Sequence, residues 1–190
     1  MKKIAILISG NGTNMTALLN ASKRGELDAD VAIVISDKPG APGLVNARRM
    51  GCETLVAPYA SGLSREENER AIVEAIVERD VDWIVLAGFM RILSSSFVSK
   101  FRGRIVNVHP SMLPAFPGAR AIKDAFEAGA DYAGVTIHIV DEFVDHGPII
   151  AQEEVAILPG DTEETLESRV HAVEHRLYPK ALQELINEDI

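Results

Sequence analysis

The sequence has a single cysteine, Cys52, among its 190 residues. One thiol cannot form an intramolecular disulfide or build a thiolate metal cluster, so neither kind of cross-link is available to the fold. Small thiols are commonly buried in apolar surroundings. We therefore expect Cys52 to be a packed side chain rather than a nucleophile.

Positive charge is also scarce, because 19 Lys and Arg residues oppose 28 Asp and Glu residues for a formal net charge of −9. Nucleic acids and anionic membrane surfaces attract proteins through a positive field, so the sequence predicts neither as a partner. A small anionic substrate would have to be held by a few local donors.

Long apolar runs are missing as well, and no stretch approaches the ~18 residues needed to span a bilayer. The N-terminal sequence MKKIAILISG places two lysines before an apolar stretch that ends at Ser9. That stretch is too short for the core of a secretory signal peptide. We expect a cytoplasmic protein.

What the chain does have is 47% hydrophobic residues, in short β-branched runs that alternate with helical patterns over the first ~110 residues. The predicted strands are 4–8, 31–35, 54–56, 83–86, 105–108, 135–140 and 149–155. The last two should form an antiparallel pair. This order predicts one α/β domain with a doubly wound, mostly parallel sheet and helices on both faces, whose ligands bind beyond the carboxyl ends of the strands.

Helices are expected between these strands, and two of their starts carry capping signals. Thr13 or Asn14 can cap the first helix, and Ser64 with Glu67 matches a capping box. The predicted helices run over about 13–25, 43–50, 64–80, 95–101 and 124–129, with a last one from about 161.

A glycine-rich turn, S-G-N-G-T-N at 9–14, joins the first strand to the first helix. Glycines expose backbone N–H groups, and a helix N-terminus adds partial positive charge, so a phosphate would fit there. The dinucleotide pattern is incomplete because Met15 replaces its third glycine, and no Gly-Lys-Ser/Thr follows. The turn favours a single phosphate, with an ordinary strand-to-helix connection as the alternative.

Asn107 lies in the strand at 105–108, and His109 directly follows it. Residues two apart on a strand point to the same face. An amide N–H can stabilise the oxyanion of an acyl transfer, and an imidazole can donate to it or move a proton. The pair predicts acyl-transfer chemistry. A capped strand end with a buried structural histidine is the alternative.

Three carboxylates, Asp141, Glu142 and Asp145, follow the next predicted strand. One of them could orient a histidine and favour its charged form, but spacing alone does not select which. A solvated acidic turn remains the alternative.

His171 and His175 lie four apart on the last predicted helix, with Glu174 between them. The order H-x-x-E-H occurs in one class of zinc protease. A zinc site needs a third protein ligand, which the sequence does not provide, so we expect no metal and favour a mixed surface helix with Glu174 lining the site.

Six segments together resemble the phosphoribosylglycinamide formyltransferase family, folate-dependent enzymes of purine synthesis. They cover the chain from end to end in the family's order. The segments are ISGNGTN (8–14), SRE (64–66), LAGFMRIL (86–93), NVHPSMLPAFPG (107–118), VDxxxDxGPI (140–149) and EHxxYP (174–179).

The resemblance implies a Rossmann-like fold in one formyltransferase domain over 1–190, with 10-formyltetrahydrofolate as donor and 5-phosphoribosylglycinamide as acceptor. It also implies a cis bond before Pro114. The sequence leaves the oligomeric state open between a monomer and a homodimer. The implied catalytic residues are Asn107, protonated His109 and Asp145; the substrate-binding residues Gly12, Thr13, Asn14 and Glu174; and the folate-binding residues Arg65, Met90, Arg91, Ile92, Leu93 and Asn107.

Two positions depart from the family pattern. Arg120 stands in a stretch where members often carry histidine, and Phe143 fills a position that is often small. The alternatives in function are a formyltetrahydrofolate hydrolase, a formyltransferase acting on another amine such as initiator methionyl-tRNA, and a non-catalytic nucleotide-binding module. The first two usually carry a further domain.

Overall fold

The structure, a computed structural model, describes residues 1–188, so residues 189 and 190 of the expected domain lie outside it. The described part contains these elements in chain order: β1 (Lys2–Ile8), α1 (Thr13–Lys23), β2 (Ala29–Ser36), α2 (Pro42–Arg49), β3 (Thr54–Val56), α3 (Arg65–Glu78), β4 (Trp83–Leu86), α4 (Ser95–Lys100), β5 (Ile105–His109), α5 (Ala121–Glu127), β6 (Tyr132–Ile139), β7 (Ile149–Ala156) and α6 (Glu163–Glu188).

The seven strands form one sheet in the order β3-β2-β1-β4-β5-β6-β7. The first five of these strands are mutually parallel, whereas β6 runs antiparallel to β5 and β7 antiparallel to β6. The predicted α/β class, the mostly parallel sheet and the antiparallel C-terminal pair are confirmed. Chain order reverses at β1 and β4, where doubly wound sheets bind ligands.

Strand β1 is buried on both faces, which explains its near-continuous apolar run. Ile4, Ile6 and Ile8 pack into the layer of α1, α2, α5 and α6. Ala5 and Leu7 pack on the other face with α3 and α4. Each large side chain buried this way contributes about 1.5–3 kcal/mol, so the centre of the sheet is a rigid base for the loops at its edge.

Helix α6 crosses the sheet and is attached to it by Tyr178, whose side chain is fully buried. The Tyr178 hydroxyl lies 3.0 Å from the carbonyl oxygens of both Leu86 and Val106, and it can donate its single proton to either. Burial raises the pKa of Tyr178 well above its ordinary value, so the hydroxyl stays a donor.

The start of α1 differs from the sequence prediction. Gly12 is the N-cap, with a left-handed φ of 68°, and no side chain caps the helix. Thr13 is instead the first helical residue, because the turn needs a backbone conformation that glycine adopts without steric cost. The predicted capping box of Ser64 and Glu67 is confirmed.

Cys52 is half-buried and packs beside the larger core. Desolvation raises the pKa of its thiol, which disfavours the reactive thiolate. No helix within residues 1–188 is long and apolar enough to cross a bilayer.

Candidate active site

Asn107 and His109 of β5 lie at the carboxyl edge of the sheet, and their side chains reach one cluster, as their spacing predicts. Asn107 Nδ2 lies 3.2 Å from His138 Nε2. His109 Nδ1 lies 3.4 Å from Asp145 Oδ2, and both of these side chains are nearly buried. The strand end thus brings an amide, two imidazoles and a carboxylate together.

Of the three carboxylates that the sequence left open, only Asp145 contacts His109. The Asp145 carboxylate also accepts a 2.9 Å hydrogen bond from the backbone N–H of Gly118. Asp141 instead lies 2.8 Å from His146, and Glu142 accepts a 3.0 Å hydrogen bond from Arg102. The loop geometry therefore selects the same carboxylate as the family resemblance does.

His138 is a member of the cluster that sequence reasoning missed. It pairs with Asn107 across β5 and β6, and its Nε2 lies 3.9 Å from Asp145 Oδ1. Its Nδ1 faces the carbonyl of Ile139 at 3.0 Å, so Nδ1 carries the proton and Nε2 accepts from Asn107. Burial lowers the pKa of His138, which favours this neutral form. A histidine within the apolar strand sequence TIHI was a signal that the sequence offered. The register of β6 against β5, which places His138 beside Asn107, could not be read from it.

The loop at 110–118 closes over His109. His109 Nε2 lies 2.9 Å from the backbone oxygen of Phe116, so each ring nitrogen faces an oxygen acceptor. Thr136 anchors this loop, since its hydroxyl donates to the Ser111 carbonyl and accepts from the N–H of Leu113. The Leu113-Pro114 bond is cis, as the resemblance implied.

The loop at 140–148 carries Asp145 and is held by a close backbone approach. The N–H of Ile139 donates to the Pro148 carbonyl at 2.8 Å. A Cβ on Gly147 would lie 1.9 Å from the Ile139 carbonyl oxygen, so only glycine fits there. Phe143 is 68% exposed in the same loop and packs edge-on against His146.

The glycine-rich turn lies beside α6, and Asn14 joins them. Asn14 Nδ2 donates to Glu174 Oε2 at 2.8 Å, and both residues are buried. Burial raises the pKa of Glu174, with the Asn14 hydrogen bond opposing that shift. Asn14 Oδ1 is also buried and has no partner among residues 1–188. An adjoining surface cavity of about 630 Å³ is lined by residues that include Asn11, Thr13 and His175.

Glu174 is therefore buried against Asn14 rather than exposed on the surface of the last helix. His171 and His175 flank it with their rings stacked 6.4 Å apart. Within the described part of the chain, no three His, Cys, Asp or Glu side chains are arranged to hold a metal ion.

The residues 90–93, which the resemblance assigned to folate, lie at the same sheet edge. Met90 and Ile92 are 66% and 57% exposed, whereas Leu93 is buried in the core. Leu93 therefore supports the segment from below, and its side chain is not part of an open wall. Arg91 bonds Asp37 at 2.6 Å.

Two arginines lie at the margins of these loops. Arg65 is the exposed first residue of α3. Arg120 pairs with Asp124 at 3.1 Å, four residues further along the chain, and is largely exposed. Its guanidinium is thus occupied at the start of α5.

Known proteins match the chain over nearly its whole length. The family model described as formyl transferase matches residues 2–182. A phosphoribosylglycinamide formyltransferase of Bacillus subtilis is 40% identical over 98% of this chain and 95% of its own length. A Drosophila melanogaster protein named trifunctional purine biosynthetic protein adenosine-3 is 46% identical, but the chain spans only 14% of its length.

A solved structure shows the same fold. The crystal structure of phosphoribosylglycinamide formyltransferase from Bacillus halodurans superposes with a TM-score of 0.96 at 44% identity, covering 100% of this chain and 97% of that one. With the family model matched almost end to end, the chain belongs to the formyl transferase family.

Proposed function

We propose that this chain transfers the formyl group of 10-formyltetrahydrofolate to the amine of 5-phosphoribosylglycinamide, in de novo purine synthesis. The observation that carries this proposal is the cluster at the sheet edge in which Asp145 contacts His109 and His138 contacts Asn107. Relatives of nearly the same length carry the corresponding name. We place the enzyme in the cytoplasm, as one domain with small-molecule partners and no metal.

In the proposed reaction the amine nitrogen attacks the formyl carbon and forms a tetrahedral intermediate with an oxyanion. The bond from that carbon to folate N10 then breaks. The attacking nitrogen loses one proton and N10 gains one, so protons balance. Asn107 and protonated His109 donate to the oxyanion, and Asp145 orients the imidazole.

In this structure the backbone carbonyl of Phe116 is the hydrogen-bond acceptor for His109 Nε2. Its oxygen lies 2.9 Å from Nε2, a distance at which an oxyanion would also accept. We propose that the formyl oxygen displaces this carbonyl when the substrates bind. The loop at 110–118 would then move by a small amount, because Thr136 holds its middle.

The glycine-rich turn and α6 form the proposed acceptor side. Gly12 is the N-cap of α1, and Thr13 and Asn14 are its first two residues. The backbone N–H groups at this helix start suit a phosphate. Glu174 and Asn14 Oδ1 are acceptors, and they would repel a phosphate. They instead suit donors such as the ribose hydroxyls, so phosphate and sugar would bind to different parts of this side.

The segment around Met90 and Ile92 forms the proposed donor side. The resemblance adds Arg65 as a further residue that contacts folate. Two exposed apolar side chains at a sheet edge suit the flat pterin ring of folate.

The test is to mix purified protein with 5-phosphoribosylglycinamide and 10-formyltetrahydrofolate and to follow formylated product and tetrahydrofolate together. We expect equal amounts of both and neither without the amine. Tetrahydrofolate with formate in the absence of amine would show a hydrolase. Product only from initiator methionyl-tRNA would show another acceptor, and binding without turnover would show a non-catalytic module.

A further inference from the structure

Asp37 follows β2 outside the catalytic cluster, and its side chain is 0% exposed. A buried carboxylate is costly unless it is paired and hydrogen-bonded. Its Oδ1 accepts from the Ser9 hydroxyl at 2.6 Å, and its Oδ2 accepts from Arg91 Nε at 2.6 Å. Both carboxylate oxygens of Asp37 thus accept hydrogen bonds. One donor, Arg91, belongs to the segment after β4, and the other, Ser9, contacts that segment.

That segment is 87–94, which has no regular secondary structure and joins β4 to α4. Ser9 holds it twice, since its N–H donates to Gly88 O at 3.0 Å and its hydroxyl accepts from Met90 N at 2.8 Å. Arg91 lies over the ring of Tyr59, 5.0 Å from the ring centroid.

The far end of the segment is fixed by a second buried carboxylate. Glu69 of α3 accepts from the N–H of Ser94 at 2.8 Å and from its hydroxyl. The Tyr59 hydroxyl also donates to Glu69, at 3.3 Å. The exposed Met90 and Ile92 side chains lie between these attachments.

We infer that Asp37 is a positioning residue for the formyl donor. It sets the backbone shape of segment 87–94 through Ser9 and Arg91, and this inference rests on the proposed function. Backbone hydrogen bonds hold the start of this segment at Ala87 and Gly88, whereas side-chain attachments hold it from Met90 to Ser94. Loss of Asp37 leaves Arg91 without its buried partner and frees the Ser9 hydroxyl from its acceptor. Donor binding then has to order the segment, which weakens affinity.

The test compares Asp37→Ala and Asp37→Asn with wild type, and Asp30→Ala on the exposed side of β2 is the matched control. Calorimetry with tetrahydrofolate should show at least tenfold weaker binding for Asp37→Ala and a smaller loss for Asp37→Asn, which keeps hydrogen-bonding groups. The KM for 5-phosphoribosylglycinamide should change less than twofold. Asp30→Ala should bind tetrahydrofolate as wild type does.

Equal donor affinity in folded Asp37→Ala would overturn the inference, and so would an equal rise in the KM of both substrates. If Asp37→Ala does not fold, Asp37→Asn and Ser9→Ala decide, and wild-type donor affinity in both would overturn it. A wild-type protein that does not bind tetrahydrofolate would contradict the proposed function instead. The two failures are therefore distinguishable.

Discussion

Individual side chains at the sheet edge carry the proposed chemistry, and their neighbours define what each can do. His109 has an oxygen acceptor at either nitrogen, namely Phe116 O and Asp145 Oδ2. His138 has one acceptor and one amide donor. The two imidazoles therefore differ in role although they share one carboxylate: His109 donates, and His138 orients the amide of Asn107.

Replacing His109 with alanine tests the proposed oxyanion donor. Loss of one such donor typically costs about 10²–10³ in rate, so we expect kcat to fall at least that far. Steady-state kinetics measures the fall, and circular dichroism checks that the variant is folded. A folded variant with wild-type kcat would remove His109 from the mechanism.

Glu174 gives a prediction in pH. Burial raises its pKa above the ordinary 4.5, so ionisation destabilises the folded state. This cost is absent below pH 4.5 and grows as pH rises, until the raised pKa has been passed. The free energy of unfolding should therefore be higher for Glu174→Gln than for wild type. The difference should increase as pH rises and become constant above the raised pKa.

Urea unfolding at several pH values measures this difference. Glu184→Gln is the control, because Glu184 is an exposed carboxylate on the same helix. A difference that is constant across pH, or one that shrinks as pH rises, would contradict a buried ionisable Glu174.

Among the structural elements, close contacts fix the conformation of the loops at the sheet edge, whereas burial of apolar side chains stabilises the strands. The loop at 140–148 has to keep Gly147 against the Ile139 carbonyl to place Asp145. Asp145 itself has a left-handed φ of 50°, which non-glycine residues adopt at some cost. The loop conformation is thus maintained by contacts, and small changes in it should reach the catalytic cluster.

Gly147→Ala tests this dependence. The added methyl group has to displace the backbone, so we expect about 1–3 kcal/mol of lost stability and a fall of about tenfold or more in kcat. Thermal unfolding and kinetics measure the two effects. Gly40→Ala is the control, since its Cβ would meet nothing within 4 Å. Wild-type kcat in Gly147→Ala would show that the loop does not position Asp145.

Periodicity predicted the elements and the Asn107–His109 pair, because alternation along β5 depends only on local backbone geometry. It could not select Asp145, since that choice depends on how the loop at 140–148 closes. It could not find His138 either, because the register of β5 on β6 brings it beside Asn107. Asp37 and Arg91 are 54 residues apart, and their pairing needs the fold.

The whole molecule is held by packing of helices on two faces of one sheet, with α6 linking its distant parts. Tyr178 of α6 contacts the carbonyls of Leu86 in β4 and Val106 in β5, so α6 is attached to the centre of the sheet. Glu174, one turn earlier, reaches the glycine-rich turn. Displacement of α6 would affect both the core and the acceptor side.

Tyr178→Phe tests the contribution of this attachment. A buried neutral hydrogen bond contributes about 0.5–1.5 kcal/mol, and we expect the free energy of unfolding to fall by that amount. The KM values should stay near wild type. Urea unfolding measures the effect, with Tyr132→Phe as an exposed control. Unchanged stability would show that neither carbonyl needs the hydroxyl.

Strand β7 closes the described sheet on one side, and within residues 1–188 no further strand pairs with its outer edge. A free edge of eight residues is a template on which a second chain can pair and aggregate. Glu154 places a negative charge on this strand, whereas the charge of Glu153 is paired with Arg176, in a chain whose net charge is −9. Like-charge repulsion between copies of this acidic chain would thus oppose edge-to-edge pairing.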